Sequence, residues 1–273
     1  MRRIFLLLFI IFFISSCTDD GNVVSGPISS DSYVFVACEG NFGSSDGAVY
    51  VIDEYGNTSS FGSLGDVVQS VEVYGNKLFV IVNNSHRIMV YNISESGISE
   101  PGIVVSTGNS SPREMVVLND KLYFTNWNTQ DVKVLNLFTY QIESSLVLEG
   151  LPEDIITDGE NLFVSIPNLT LYDQNLGSDV VKIDPMSMSV LETYDVGLGP
   201  ESLLLFNDDI YVARKNYSSD WMSTNYGSSK ISNGSIASLD YGVGIACGGS
   251  ILSSNNVVYR TYDGGVAPLD ADL

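Results

Sequence analysis

The chain has 273 residues, with 33 Asp or Glu against 12 Lys or Arg and a single His, so its formal charge is −21. This charge argues against nucleic acid as a partner, because binding of phosphates requires a basic surface. Charged residues make up only 16% of the chain, against roughly 25% in ordinary globular proteins, and the abundance of Gly, Tyr and Phe favours strands joined by tight turns over helices.

Residues 1–17 have the organisation of a lipoprotein signal peptide. Two arginines at residues 2–3 precede an apolar run over residues 4–14, which is too short to span a bilayer. The following Ile-Ser-Ser-Cys sequence, residues 14–17, resembles the lipobox of bacterial lipoproteins, in which the chain is cut before a cysteine that receives acyl chains. We therefore expect Cys17 to be lipidated and to anchor the protein. An ordinary secretory signal with a chance cysteine is the alternative.

Residues 18–30 are rich in Gly, Ser and Asp and are predicted to form a flexible linker. Their acidic beginning, residues 18–21, is similar to the short signals that send some lipoproteins to the outer face of the outer membrane. We therefore expect a protein of the outer membrane that is held at the cell surface by lipid alone. Residues 31–273 are then left to form the folded unit.

From residue 31 onward the sequence repeats an apolar run, a polar turn and a strand. The first apolar residues after the turns are 44, 40, 48 and 47 residues apart, at Leu78, Leu122, Leu162, Ile210 and Val257. Gly-Asn, Asn-Asp and Asp-Gly in these turns tolerate the positive φ that a tight hairpin requires. Four strands in roughly 40 to 50 residues is the period of a β-propeller blade.

The predicted fold is therefore all-β, a β-propeller of four-stranded blades with five to six blades over residues 31–273. The first unit, residues 32–52, matches the second and third strands of a repeat without its first strand. The sixth repeat is incomplete, because the sequence stops soon after its second strand, residues 257–262. We favour a seven-bladed ring that is truncated at its C-terminus. A smaller ring with irregular closure is the alternative.

In such blades, the loop between the second and third strands and the link to the next blade open on one face, which is the usual binding face. Here these segments contain aromatic residues and many Asn, which suit a large flat ligand fringed with amides and also suit sugars. The loops predicted at residues 39–47, 167–179 and 215–235 include two that far exceed the common length of roughly 4 to 6 residues. We expect specificity to reside in those two.

Twelve residues of these loops and links are the candidate ligand-binding residues. Trp127 and Trp221 are the strongest, because an apolar side chain without a core to enter often marks recognition. For any single Asn, closure of a local turn is the structural alternative. The full set is Asn41, Phe42, Asn83, Asn84, Arg113, Asn126, Trp127, Glu153, Glu201, Lys215, Tyr217 and Trp221.

Six short segments carry a resemblance to a known family, namely Gly40-Asn41-Phe42-Gly43, Leu64-Gly65-Asp66, Val82-Asn83-Asn84-Ser85, Pro112-Arg113, Thr125-Asn126-Trp127 and Gly199-Pro200-Glu201. They look like the YncE-type surface propellers, which occur as lipoproteins in gut anaerobes. The best understood members of that group resemble the BtuG lipoproteins, which capture vitamin B12 and pass it to a TonB-dependent transporter. The resemblance implies a corrinoid such as cobalamin as the ligand, that transporter as the partner, and binding without chemical conversion.

Other chemistry finds less support in the sequence. His86 is the only histidine and is expected to be a surface loop residue without the partner that a hydrolase triad or a histidine metal site requires, and contact with a ligand on the binding face is the alternative for it. Cys38 and Cys247 are expected to be buried thiols, and no cofactor motif is present. Two alternatives to ligand capture stay open. One is a protein-interaction propeller in an envelope complex. The other is a lactonase-like hydrolase, with calcium held by Glu153, Glu201 and the amides of residues 84 and 126.

Overall fold

A computed structural model describes residues 33–94, 97–99, 102–171, 173–244, 249–262, 264–270 and 273. The predicted signal peptide with Cys17, the predicted linker and Cys247 lie outside these ranges. The described residues contain strands, turns and loops, which confirms the all-β prediction. In this part of the chain, no helix has the length and apolar composition that crossing a membrane requires.

The described strands form six antiparallel sheets, which are the blades of a propeller and are numbered here in chain order. Blade 1 contains β1 (Tyr33–Cys38), β2 (Ala48–Asp53) and β3 (Thr58–Phe61). Blade 2 contains β4 (Val68–Tyr74), β5 (Lys77–Val82), β6 (Arg87–Ser94), the short β7 (Gly97–Ile98) and β8 (Ile103–Ser106). Blade 3 contains β9 (Pro112–Leu118), β10 (Lys121–Asn126), β11 (Asp131–Asn136) and β12 (Ile142–Val147).

The remaining three blades follow the same order. Blade 4 contains β13 (Ile155–Thr157), β14 (Leu162–Asn168), β15 (Leu176–Asp184) and β16 (Ser189–Asp195). Blade 5 contains β17 (Pro200–Phe206), β18 (Asp209–Tyr217), β19 (Thr224–Ser232) and β20 (Ser235–Gly244). Blade 6 contains β21 (Ile251–Ser254), β22 (Val257–Tyr262) and β23 (Gly265–Pro268). The predicted propeller of five to six blades is thus confirmed, whereas truncation of a seven-bladed ring stays a prediction.

The hairpin turns between the first two strands of each repeat have the backbone geometry that the sequence predicts. In the β9–β10 turn, Asn119 and Asp120 have φ values of 52° and 58°. The corresponding pair in the β17–β18 turn, Asn207 and Asp208, has values of 51° and 66°. Asn and Asp tolerate this left-handed conformation, which matches the twist of the two strands they join.

The core lies between neighbouring blades. Phe79 and Ile81 of β5 pack against Leu122 and Phe124 of β10, and all four side chains are buried. Strands β5, β10 and β14 are therefore apolar on both faces, because each sheet has a neighbour on either side. The resulting stack of twisted sheets brings the inner strands β4, β9, β13 and β17 next to one another.

Hydrogen bonds between neighbouring blades fix this arrangement. The Ser70 hydroxyl donates to the Arg113 carbonyl at 2.9 Å, and the Thr125 hydroxyl donates to the Glu153 carbonyl at 2.7 Å. Farther round, the Leu203 amide donates to Oδ2 of Asp154 at 2.7 Å. Residues at equivalent positions of successive blades are consequently held side by side around the central channel.

The predicted loops and blade links lie on one face of the propeller, which is called the loop face below. It carries the β5–β6 loop, residues 83–86, and the β8–β9 link, residues 107–111, which meet where the Thr107 amide donates to the His86 carbonyl at 2.9 Å. The His86 ring is half-buried, and its Nδ1 accepts a hydrogen bond from the Ser111 amide at 3.1 Å. This histidine is a loop residue, as expected, with a structural contact.

Two of the predicted loops were wrong in length. The loop predicted at residues 167–179 spans only residues 169–175, and the one predicted at residues 215–235 spans only residues 218–223. In the second of these segments, strands β18 and β19 continue through the polar residues, and Lys215 pairs with Tyr226. Polar residues such as Lys, Asn and Ser occupy positions in the paired strands here, so their polarity did not mark a loop. Tyr226 is consequently a buried strand residue. The remaining long loop, at residues 39–47, was predicted correctly, and Cys38 before it is a half-buried free thiol, which corrects its expected burial.

Candidate functional site

A cavity of about 240 Å³ opens on the loop face between blades 3, 4 and 5 and is called the rim cavity here. Seven of the twelve predicted ligand-binding residues line it, namely Arg113, Trp127, Glu153, Glu201, Lys215, Tyr217 and Trp221. Sequence reasoning missed its other lining residues, which are Pro167, Asn168, Asp173, Gln174, Leu176 and Asn216. Asp173 and Gln174 lie in the β14–β15 connection and the other four in the adjoining ends of β14, β15 and β18, and all six fall within the two segments in which the sequence predicted specificity.

Arg113 occupies the floor of the cavity and is held on several sides. Its Nε and Nη2 donate to the two carboxylate oxygens of Glu153 at 3.0 and 2.6 Å, and its Nη1 donates to Oε1 of Gln69 at 2.6 Å. The ion pair is shielded, since only 17% and 12% of the two side chains are exposed. A bidentate pair of this kind is strong and geometrically fixed.

Trp127 covers the open face of the Arg113 guanidinium. The guanidinium carbon lies 4.1 Å from the centroid of the indole, which is the geometry of a cation–π contact. The indole is placed by its backbone, because the Trp127 amide donates to the Ser111 carbonyl at 3.1 Å. Nε1 of this indole is buried and has no hydrogen-bond partner among the described residues.

A second ion pair joins blade 5 to the cavity. Nζ of Lys215 lies 2.7 Å from Oε1 of Glu201, while Oε2 of Glu201 is buried and has no partner in the described part of the chain. Burial raises the pKa of Glu201, and the nearby Lys215 partly opposes that rise. Gly249 lies directly against this carboxylate, because a Cβ at Gly249 would be 2.1 Å from Oε2 and would force the Glu201 side chain to move.

The outer edge of the cavity is formed by an aromatic pair in the β18–β19 hairpin. The rings of Tyr217 and Trp221 have centroids 5.6 Å apart and are 42% and 54% exposed. Trp221 has a φ of 59°, which is uncommon for a bulky residue, and its amide donates to the Ser218 carbonyl at 2.8 Å. This strained backbone conformation places the flat apolar ring of Trp221 at the edge of the cavity.

A second cavity, of about 440 Å³, continues into the channel and shares Glu153, Glu201 and Lys215 with the first. Its lining also includes Glu114 and Asp154, which directly follow Arg113 and Glu153 in the chain. Burial and neighbouring carboxylates raise the pKa of Glu114 to about 8, and burial raises the pKa of Asp154 to about 6. Glu114 and Asp154 were not among the predicted site residues, although each directly follows one of them, Arg113 or Glu153, in a blade link.

Asn126 does not belong to the site, and its prediction as a ligand-binding residue was wrong. Its side chain is completely buried, and its Nδ2 donates to the carbonyls of Phe124 and Asp131 at 3.1 and 3.3 Å. Its Oδ1 accepts a hydrogen bond from the Ser110 hydroxyl at 2.5 Å. The Asn126 amide therefore stabilises the β10–β11 connection and holds the link that leads into blade 3.

The other four predicted residues lie on the loop face near blades 1 and 2, outside the lining of the rim cavity. Nδ2 of Asn83 donates to the Pro112 carbonyl at 2.8 Å, and Nδ2 of Asn84 donates to Oδ2 of Asp66 at 2.5 Å. Nδ2 of Asn41 donates to Oδ2 of Asp46 at 2.8 Å. These amides have structural partners, as the alternative interpretation anticipates, while Phe42 is 80% exposed.

The four residues considered for calcium do not form one ligand set, since Glu153 and Glu201 line the rim cavity and Asn84 and Asn126 do not. Glu153 and Glu201 are paired with Arg113 and Lys215, while the amide of Asn126 is buried elsewhere. Among the residues that the structure describes, no group of three or more His, Cys, Asp or Glu side chains is arranged to hold a metal ion. The donor set therefore does not fit the calcium alternative.

No protein-family model matches this chain, and no curated protein matches it in sequence. Solved structures share its fold. A structure from Bacteroides uniformis described as a candidate 6-phosphogluconolactonase has a TM-score of 0.66 at 12% identity, over 88% of this chain and 82% of that one. A similar one from Bacteroides fragilis has a TM-score of 0.64 at 13% identity, over 89% and 81%.

The fold is also shared outside that group. The WD40 β-propeller domain of Doa1 has a TM-score of 0.59 at 12% identity, over 87% of this chain and 74% of that one. At such low identities the similarity concerns the fold, since one propeller architecture hosts many unrelated functions. This chain is therefore a β-propeller whose site has to be interpreted from its own residues.

Proposed function

We propose that this protein is a lipid-anchored outer-membrane protein that binds a small, amide-bearing ligand in the rim cavity, without converting it chemically. A corrinoid is the first candidate ligand, and a TonB-dependent transporter is the proposed recipient. One observation carries the proposal. The rim cavity collects ion-paired charges on its floor and an exposed aromatic pair, Tyr217 and Trp221, at its edge. The lipobox around Cys17 and the resemblance to corrinoid-binding propellers support it.

The size of the cavity defines how such a ligand would bind. Sites that enclose a drug-sized molecule usually measure roughly 300–1,000 Å³, and the rim cavity measures about 240 Å³. A corrin ring would therefore lie across the opening. Its flat face would contact the Tyr217–Trp221 pair, and one peripheral amide would enter the cavity toward Glu201 and Lys215.

Binding without catalysis fits the bonding of the polar residues. Glu153 is occupied by Arg113 on both oxygens, and His86 is bonded to the β8–β9 link outside the cavity lining. A general base has to reach the proton that it removes, and Glu153 and His86 do not meet this condition, which leaves Glu201 as the carboxylate of the lining with an unpartnered oxygen. The hydrolase alternative consequently has less support than ligand capture.

Isothermal titration of the full-length protein in detergent with cobalamin and with cobinamide tests this proposal. We expect micromolar or tighter binding of at least one of the two corrinoids, and weaker binding by Trp221→Ala. If neither binds, the corrinoid assignment is wrong. Capture of a defined envelope protein by the loop face, unaffected by Trp221→Ala, would favour the protein-interaction alternative instead.

A further inference from the structure

The positive charges of the rim cavity are already used by the protein. The guanidinium of Arg113 donates hydrogen bonds to Glu153 and Gln69, and one of its faces stacks on Trp127. Lys215 forms an ion pair with Glu201. An anion that entered the cavity would have to compete for cations that have carboxylate partners. The Arg113 guanidinium is thus not open to phosphates or carboxylates, and the charge of the Lys215 ammonium is balanced by Glu201 although that group keeps further N–H donors.

Negative charge, by contrast, is in excess around the cavity. Asp173 is a third carboxylate in the lining, and its hydrogen bond from the Thr170 hydroxyl lowers its pKa, which keeps it ionised. Below the floor, Asp154 adds a further acid whose pKa is about 6. Since the whole chain carries −21, no distant positive field compensates for this.

Glu201 also has unused capacity to accept hydrogen bonds. Only its Oε1 is engaged by Lys215, and Oε2 has no partner in the described residues, although 32% of the side chain is exposed. A desolvated carboxylate oxygen without a donor is costly, so a ligand donor that reaches this carboxylate would be stabilised there. Gly249 packs directly against this oxygen, because a Cβ at Gly249 would lie 2.1 Å from Oε2.

We infer that the rim cavity selects ligands that present a hydrogen-bond donor, either an amine or a carboxamide N–H, to Glu201. A flat apolar part of the same ligand stacks on Tyr217 and Trp221, and ligands with a phosphate or carboxylate at that position are rejected. This inference rests on the proposed function, because it assumes that the rim cavity is the ligand site. Beyond the proposed function, the inference specifies the chemical class of the ligand group that enters the rim cavity.

Three probes with the same ring and different charges test it, namely tryptamine, indole-3-acetamide and indole-3-acetate. Each is titrated against the full-length protein in detergent at neutral pH, and binding is followed by ligand-observed NMR. We expect tryptamine and the amide to bind at least about tenfold more tightly than the acetate, because like charges brought together at a binding site cost several kcal/mol. Equal or tighter binding of the acetate overturns the inference, and so does the absence of binding for all three probes.

Two variants assign the preference to this site. Glu201→Gln removes the acceptor charge and leaves Lys215 without its ion pair, so the preference for tryptamine over the acetate should disappear or reverse. Glu160→Gln changes an exposed acid in the β13–β14 turn and should leave the preference unchanged. An unaltered preference in Glu201→Gln, with the thermal unfolding midpoint retained, would contradict the role of Glu201.

The probe experiment and the corrinoid titration fail independently. One outcome is that tryptamine and the amide bind more tightly than the acetate, that Trp221→Ala weakens the binding of all three probes, and that neither corrinoid binds. In that case the corrinoid proposal is wrong and the donor preference stands. If a corrinoid binds and Trp221→Ala abolishes its binding, but the probes show no charge preference, the ligand site is supported and the donor preference is wrong.

Discussion

Arg113 and Trp127 lie face to face, with the guanidinium carbon 4.1 Å from the centre of the indole. They meet because Pro112 and Asn126, the residues beside them, are paired across the β9–β10 ladder. The stacking leaves the edges of the guanidinium free for Glu153 and Gln69, which belong to the neighbouring blades. One arginine thus connects blades 2, 3 and 4 at the floor of the rim cavity.

The first prediction concerns this ion pair. Arg113→Gln leaves the carboxylate of Glu153 buried without its partner, and we expect it to lower the free energy of unfolding by about 3 to 5 kcal/mol. Chemical denaturation measures the effect. The double variant with Glu153→Gln should lose less than the sum of the two single losses. A loss below about 1 kcal/mol for Arg113→Gln would show that the pair is not desolvated as described.

The second prediction concerns the aromatic edge of the cavity. Trp221→Ala should weaken binding of the probes and of a corrinoid at least about tenfold, because the stacking surface is lost. Its exposed ring contributes little to the core, so the free energy of unfolding should change by less than about 1 kcal/mol. The neighbouring Met222, which is 84% exposed, provides the matched control as Met222→Ala. Equal effects of the two variants on affinity would contradict the assignment.

The third prediction is a dependence of stability on pH. The pKa of Glu114 is raised from 4.5 to about 8 in the folded protein, so the folded state keeps a proton that the unfolded chain releases. The contribution of this group is fully present below the ordinary pKa and is lost as pH rises from about 4.5 to 8. Asp154, with a pKa of about 6, and Glu72, with a pKa of about 7, act in the same direction.

Denaturation curves between pH 5 and pH 9 test this dependence. Glu114→Gln should flatten the decline, which has a limiting slope of about 1.4 kcal/mol per pH unit for one group. It should therefore stabilise the protein relative to the parent at pH 8. The exposed Glu160→Gln serves as the control and should retain the parent slope. A parent protein that gains stability over this pH range, with no difference in Glu114→Gln, would refute the assignment.

The fourth prediction concerns the close approach of Gly249 and Glu201. A Cβ in Gly249→Ala would lie 2.1 Å from Oε2, so the flexible Glu201 side chain has to change its position. We expect the affinity for tryptamine to fall severalfold, with a small change in the thermal unfolding midpoint. Gly102→Ala is the control, because a Cβ there meets nothing within 4 Å. Unchanged tryptamine affinity in Gly249→Ala would separate Glu201 from the binding of the probe.

Part of the candidate site could be predicted from the sequence. The blade links place Arg113, Glu153 and Glu201 at equivalent points of successive repeats, and the repeat period alone is enough to align them. Tyr217 and Trp221 were found as aromatic residues in a polar stretch, even though that stretch proved to be mainly strand. Asn126 was misjudged because an amide in a turn has the same sequence appearance whether it faces a ligand or closes the turn.

The sequence alone determined the propeller fold, because the repeat period, the turn residues and the alternation of apolar and polar residues are local properties that recur in each repeat. It could not determine which side chains touch, since those contacts join residues of different blades. Arg113 pairs with Glu153 across 40 residues of chain, and burial, together with Asp154 and Glu153 of the next blade, raises the pKa of Glu114. Burial, ion pairing and shifted pKa values arise only once the sheets stack, and they decide which polar residues are left to meet a ligand.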